Sequence, residues 1–106
     1  MLLTTTPTVQ GHNINQYLGV VTGETIIGAN FVKDFMAGLT DFFGGRSGTY
    51  ENVLREAKDA ALKEMSERAV QMGANAVVGI DLDYETIGQT SSMLMVTCSG
   101  TAVRID

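Results

Sequence analysis

Asp81, Asp83 and Glu85 fall at every second position of an apolar, β-forming run. Side chains on a strand alternate between faces, so these three carboxylates point to one side. Three oxygen donors on one face suit a hard divalent cation. They suit a soft heavy metal less well, because soft metals prefer thiolate or imidazole. The same spacing also describes the solvated side of a half-buried strand, or carboxylates paired with arginines. A second candidate is Phe43-Gly44-Gly45-Arg46-Ser47-Gly48, ahead of a helix N-terminus. Free backbone N–H groups, Arg46 and the Ser47 hydroxyl there can hold a small anion. The run lacks the spacing of a P-loop. Its competing reading is a tight connection between helices, with Gly44 and Gly45 turning the chain and Arg46 paired to a carboxylate.

The remaining chemistry-bearing residues are sparse. His12 and Cys98 are the single imidazole and the single thiol. One of each falls short of a structural zinc site unless a neighbouring subunit contributes, and a Cys-His nucleophilic pair needs a third, orienting group. Cys98 lies in an apolar run, where a free cysteine acts as a small hydrophobe. His12 lies in a polar turn. Met36, Met65, Met72, Met93 and Met95 are dispersed along the chain and read as core filler.

The elements that must position these groups follow from periodicity. Leu2 to Thr6 reads as a short edge strand stopped by Pro7, which has no N–H for a ladder. Gly11-His12-Asn13 is a turn. Ile14 to Ile27 is rich in β-formers and reads as one long strand, bulged or bent at Gly19 and Gly23. Asn30 can cap a helix carrying Phe31, Phe35, Leu39 and Phe42 on one stripe. Gly44 to Gly48 reads as a loop. Thr49 is the expected N-cap of a main helix from Tyr50 to Met72, whose apolar stripe is Tyr50, Leu54, Ala57, Ala61, Met65, Ala69 and Met72. Gly73 is its expected C′ residue.

Two strands complete the chain. From Ala74 to Tyr84, one face is expected to carry Ala74, Ala76, Val78, Ile80, Leu82 and Tyr84, with Val77, Asp81, Asp83 and Glu85 on the other. Gly88 to Ser91 turns the chain. From Met93 to Ile105, Leu94, Val96, Cys98, Gly100 and Ala102 face one way and Met93, Met95, Thr97, Ser99, Thr101, Val103 and Ile105 the other. The expected architecture is a single α/β two-layer sandwich in the order β-β-α-α-β-β, with a largely antiparallel sheet and both helices on one face. The last strand then has apolar residues on both sides. A single copy would leave some of them wet, which argues for a homo-oligomer.

Composition narrows the function classes. The chain has 106 residues, enough for one modest core. With 7 Lys+Arg against 12 Asp+Glu its net charge is −5, which argues against a phosphate-backbone binder and so against a nucleic-acid partner. A lone cysteine forms no intrachain disulfide. The first residues have neither the basic nor the long apolar segment of a secretory signal, and no run approaches the ~20 apolar residues of a membrane span. The expected location is cytoplasmic.

Several blocks together resemble one family: Tyr17-Leu18-Gly19, Val21, Gly23-Glu24, then Gly44-Gly45-Arg46-Ser47, Tyr50-Glu51, the run Gly73-Ala74-Asn75-Ala76-Val77-Val78-Gly79-Ile80-Asp81, Asp83-Tyr84, and Gly100-Thr101-Ala102-Val103. They span the chain and are similar to the YbjQ-like family of uncharacterised bacterial and archaeal proteins, which carries a heavy-metal-binding label. The resemblance implies a dodecin-like subunit in a homopentameric ring. No Cys-x-x-Cys and no paired histidines stand here to supply soft ligands. The reading that follows is an oligomeric ring that binds a divalent metal or a small anionic ligand in clefts between subunits. The alternative is a structural or partner-docking ring without a small ligand. An enzyme ranks below both, since no recognised catalytic motif is present.

Overall fold

The computed structural model describes residues 1–28, 47–88 and 93–106. Within them the order is β1 (Leu2–Leu3), β2 (Ile14–Ile27), α1 (Ser47–Gln71), β3 (Ala76–Ile87) and β4 (Met93–Ile105). The strands form one sheet in the order β1-β3-β4-β2. β4 pairs antiparallel with both β2 and β3, while β1 lies parallel to the outer edge of β3. The fold is thus a mixed α/β domain with α1 on one face of the sheet. The helix expected from Asn30, and positions 89–92 of the expected turn, lie outside the described residues.

The limits of β2 and β4 are those the β-forming runs dictate. β2 shifts register at Tyr17/Gly19, and Gly19 sits at φ 129, a conformation open to glycine and strained for other residues. The edge strand is shorter than expected, but its backbone bonds continue. Thr4 N–H donates to the Val77 carbonyl, and the carbonyls of Thr4 and Thr6 accept from Ile80 and Gly79. Helix α1 begins at Ser47, so the expected loop ends before Ser47 and Thr49 is not its cap. Gly73 takes φ 91 just past its end, as a C′ glycine should.

α1 meets the sheet along Val53, Ala57, Ala61, Met65 and Ala69, all buried. Val53 fills the place expected of Leu54, and Met72 is partly exposed. The alanines bring the helix backbone close to β2. A Cβ built on Gly23 would stand 2.1 Å from the Ala61 carbonyl oxygen, so only glycine fits.

β3 departs from the expected alternation. Val78 pairs with Thr101 and Asp81 with Ser99, so two residues, Gly79 and Ile80, oppose the single Gly100. Gly79 has φ 63, the left-handed conformation a glycine bulge requires. The extra residue flips the phase. Ala76 and Val78 pack with Val103, Val9, Ile14 and Ile105 on the side away from α1, whereas Val77, Ile80 and Leu82 join the core beneath α1. The single face expected for Ala76, Val78, Ile80 and Leu82 is therefore two faces.

Candidate functional site

The side of the sheet away from α1 has two parts. At one end Val9, in the turn after β1, covers Ala76, Val78 and Val103. Asn13 and His12 fasten this end to Asp106. Asn13 N–H donates to Asp106 Oδ1 at 3.0 Å, and His12 Nδ1 donates to the Asp106 backbone oxygen at 2.7 Å. The Asn13 N–H bond holds the Asp106 carboxyl below its ordinary range, and the amide of Asn13 and the nearby His12 add to it. His12 is thereby engaged in this clasp.

Beyond Val9 the face is open among the described residues. Register and alternation place Thr22, Glu24 and Ile26 of β2 beside Ser99, Thr97 and Met95 of β4, which in turn lie beside Asp81, Asp83 and Glu85 of β3. The surface is a band of hydroxyls with carboxylates on both flanks and apolar side chains towards the Ile26 end. Tyr17, Val20 and Ile26 are exposed, Val20 at 77%. Met93 and Met95 lie half-buried on this same side and are not part of the core under α1.

The three predicted carboxylates therefore do share the solvent side of β3. Asp83 is the perturbed one. A hydrogen bond with Asp81, then the negative charge of Asp81, slight desolvation and the charge of Glu85 together push its carboxyl above the ordinary range. Among the described residues no group of three or more His, Cys, Asp or Glu side chains is placed to hold a metal ion.

The other candidates fall apart spatially. Gly44, Gly45 and Arg46 lie outside the described residues, and Ser47 opens α1. Cys98 is 2% exposed beneath α1, where its thiol donates to the Ala61 carbonyl at 3.3 Å and lies 3.6 Å from that of Gly23. Burial pushes the thiol pKa up, so Cys98 is a poor thiolate ligand as well as an inaccessible one. Met65 is fully buried core, as expected of filler; Met36 lies outside the described residues.

Two features escaped the sequence reading. Arg68 bridges Glu64 at 2.7 Å and Glu24 at 3.5 Å. The Glu64/Arg68 spacing of four residues was a visible signal for the first contact; the second depends on the fold. A cavity of about 400 Å³ also lies at the end of β2, walled by Ile26, Ile27, Val53, Glu56 and Ala57. Thr25 and Gly28 complete its lining. No helix of the described residues is long and apolar enough to cross a membrane.

Comparison with known proteins agrees with this architecture. The family model YbjQ_1, described as "Putative heavy-metal-binding", matches residues 1–106. A UPF0145 protein of Clostridium botulinum (strain Eklund 17B / Type B) is 63% identical over 103 residues, 97% of each chain. A UPF0145 protein of Acetivibrio thermocellus is 58% identical over 106 residues, the full length of both. Among solved structures, a Pediococcus pentosaceus protein of unknown function in the DUF74 family superposes with a TM-score of 0.62 at 17% identity. That match covers 100% of this chain and 98% of the other. At that identity the structural likeness speaks for the fold.

Proposed function

Because this chain belongs to the YbjQ family, we propose that it is a self-assembling subunit that holds a divalent cation on the open side of its sheet. The Asp81–Asp83 pair carries the reading. The two side chains stand on one side of β3, opposite Ser99 and Thr97, where the charge of Asp81 helps to raise the Asp83 carboxyl, and a bound cation relieves that repulsion. The donors are all oxygen, so the cation is a hard one such as Ca²⁺, Mg²⁺ or Mn²⁺. Such ions take about six to eight ligands, more than the described residues of one copy bring together.

Neighbouring copies supply the rest in this proposal. Tyr17, Val20 and Ile26 are exposed on the carboxylate side of the sheet, and burying them gives the copies a reason to meet there. A ring of five is the assembly that the family resemblance implies, and in it each carboxylate pair recurs at every subunit boundary. The half-buried Met93 and Met95 favour a second reading, a ring that assembles through this face and docks a partner without any ion.

Isothermal titration with Mn²⁺ and light scattering separate these readings. The proposal expects Mn²⁺ binding that Asp83→Asn weakens at least about tenfold, or 1.4 kcal/mol, with the oligomer mass unchanged. It expects Val20→Asp with Ile26→Asp to lower the mass. Equal Mn²⁺ affinity in Asp83→Asn removes the cation site. A single-chain mass for the unmodified protein removes the assembly.

A further inference from the structure

β2 is the outer strand of the sheet among the described residues and runs for 14 residues. A long outer strand is a template on which another chain can add a strand, and proteins usually blunt it with proline or with charged side chains, lysine above all. Ile14–Ile27 contains no proline, lysine or arginine, and its one charge is Glu24. Its exposed Val20 and Ile26 make the strand more adhesive still. Something else must protect it.

The hydrogen-bonding groups of a strand alternate between its two edges. The Gly23 carbonyl lies on the inner edge, within 3.6 Å of the Cys98 thiol on β4. The Thr22 carbonyl, one residue earlier, therefore lies on the outer edge. Arg68 reaches over that edge from α1, and its Nη1 donates to the Thr22 carbonyl at 3.0 Å. Its Nη2 is held at 2.7 Å by Glu64 one turn earlier, and Glu24 lies 3.5 Å from Nη1. A guanidinium fork fixed by carboxylates is well suited to this task, because its donors are rigidly splayed.

We propose that Arg68 is a guard on the edge of β2: by occupying the outward carbonyl of Thr22, it prevents the β2 of a second copy from adding to this sheet. The device divides the edge into two shorter stretches, Ile14–Val21 and Gly23–Ile27, and interrupts any continuous ladder between them. It steers association of copies away from the strand edge and towards the sheet face. It is separate from the cation proposal, since Arg68 sits on the β2 side of the sheet and the carboxylate pair on β3.

The test uses Arg68→Met, which keeps most of the aliphatic stem and removes the donors. In physiological salt, below the unfolding temperature, Arg68→Met is expected to form thioflavin-T-positive assemblies several-fold faster than the unmodified protein. Val53→Ala weakens the core but leaves the Arg68–Thr22 contact in place, and gives the rate that lost stability alone produces. Adding Thr22→Pro to Arg68→Met removes an outward N–H and leaves the ladder to β4, so it is expected to restore the slow rate. Thr22→Lys, an edge charge, gives the same readout should proline disturb the strand. The proposal is overturned if Arg68→Met assembles no faster than Val53→Ala at equal unfolded fraction. It is equally overturned if neither Thr22 substitution slows Arg68→Met.

Discussion

On the helix side of the sheet, Gly23 and Gly100 leave no room for a methyl group. A Cβ at Gly100 would stand 2.7 Å from a methyl carbon of Val77, and one at Gly23 would strike the Ala61 carbonyl. On the other side, one residue away along the same strands, Thr22, Glu24, Ser99 and Thr101 are partly or fully exposed. Both surfaces come from the same backbone and the same period of two. They differ in what limits them. The helix side is governed by shape, and its residues are exchangeable only with those of equal size. The open side is governed by charge and hydroxyl chemistry, and its residues are free to serve a ligand or a neighbour because the core does not depend on them.

The largest effect that tests this contrast is Gly23→Ala, expected to lower stability by about 3 kcal/mol through overpacking against the backbone of α1. Val20→Thr on the same strand should stay within about 0.5 kcal/mol. Denaturant midpoints of the two variants decide the matter. Equal losses would mean that packing constrains Val20 as tightly as Gly23, and the two sides would no longer be distinct. Ala61→Leu is the next largest, expected to cost about 2 kcal/mol, because Ala61 is fully buried against β2 and β4. An unchanged midpoint would show that α1 can lift from the sheet.

The smallest effect sharpens the comparison within the open side, between its clasped and unclasped ends. Asp83 is raised above its ordinary range, so the folded state holds its proton longer than the unfolded chain does. Its contribution is full below the ordinary carboxylate range and disappears as pH rises through the folded value. Asp106 is lowered. Its contribution is present above the ordinary range and disappears as pH falls through the depressed value. At neutral pH, Asp83→Asn should therefore raise the melting temperature slightly, and Asp106→Asn should lower it. The sign of each shift across about pH 2 to 7 is the readout. A fall for Asp83→Asn at neutral pH would mean that its carboxylate is already neutralised by a partner.

Much of this was legible in the residues. The runs of β-formers set the limits of β2 and β4, and the expected order of strands and main helix holds. The spacing of Ala57, Ala61, Met65 and Ala69 marked the buried stripe of α1. β3 was misread for a definite reason. Period-two counting assumes an unbroken strand, and Gly79 breaks it by adopting a conformation that the letter G permits without announcing. The carboxylates kept their mutual spacing because all three lie beyond the bulge. The upward shift of the Asp83 carboxyl was invisible, since it depends on how the neighbouring side chains lean. The Arg68–Glu24 contact was hidden too, because it joins α1 to β2 around a strand edge that only the assembled sheet defines.

The position of β4 has a consequence for how the protein is made. It follows β2, α1 and β3 in the chain, yet it is the inner strand that joins β2 to β3. Until β4 leaves the ribosome, β2 has no partner among the described strands and α1 has only part of its floor. Clasp residues Asn13 and Asp106 lie 93 positions apart. At about 5–20 residues per second, the earlier elements wait for seconds with their apolar sides exposed. Pairing of β2 is thus deferred until β4 has been made, and during that interval the nascent chain depends on whatever shields it at the tunnel exit.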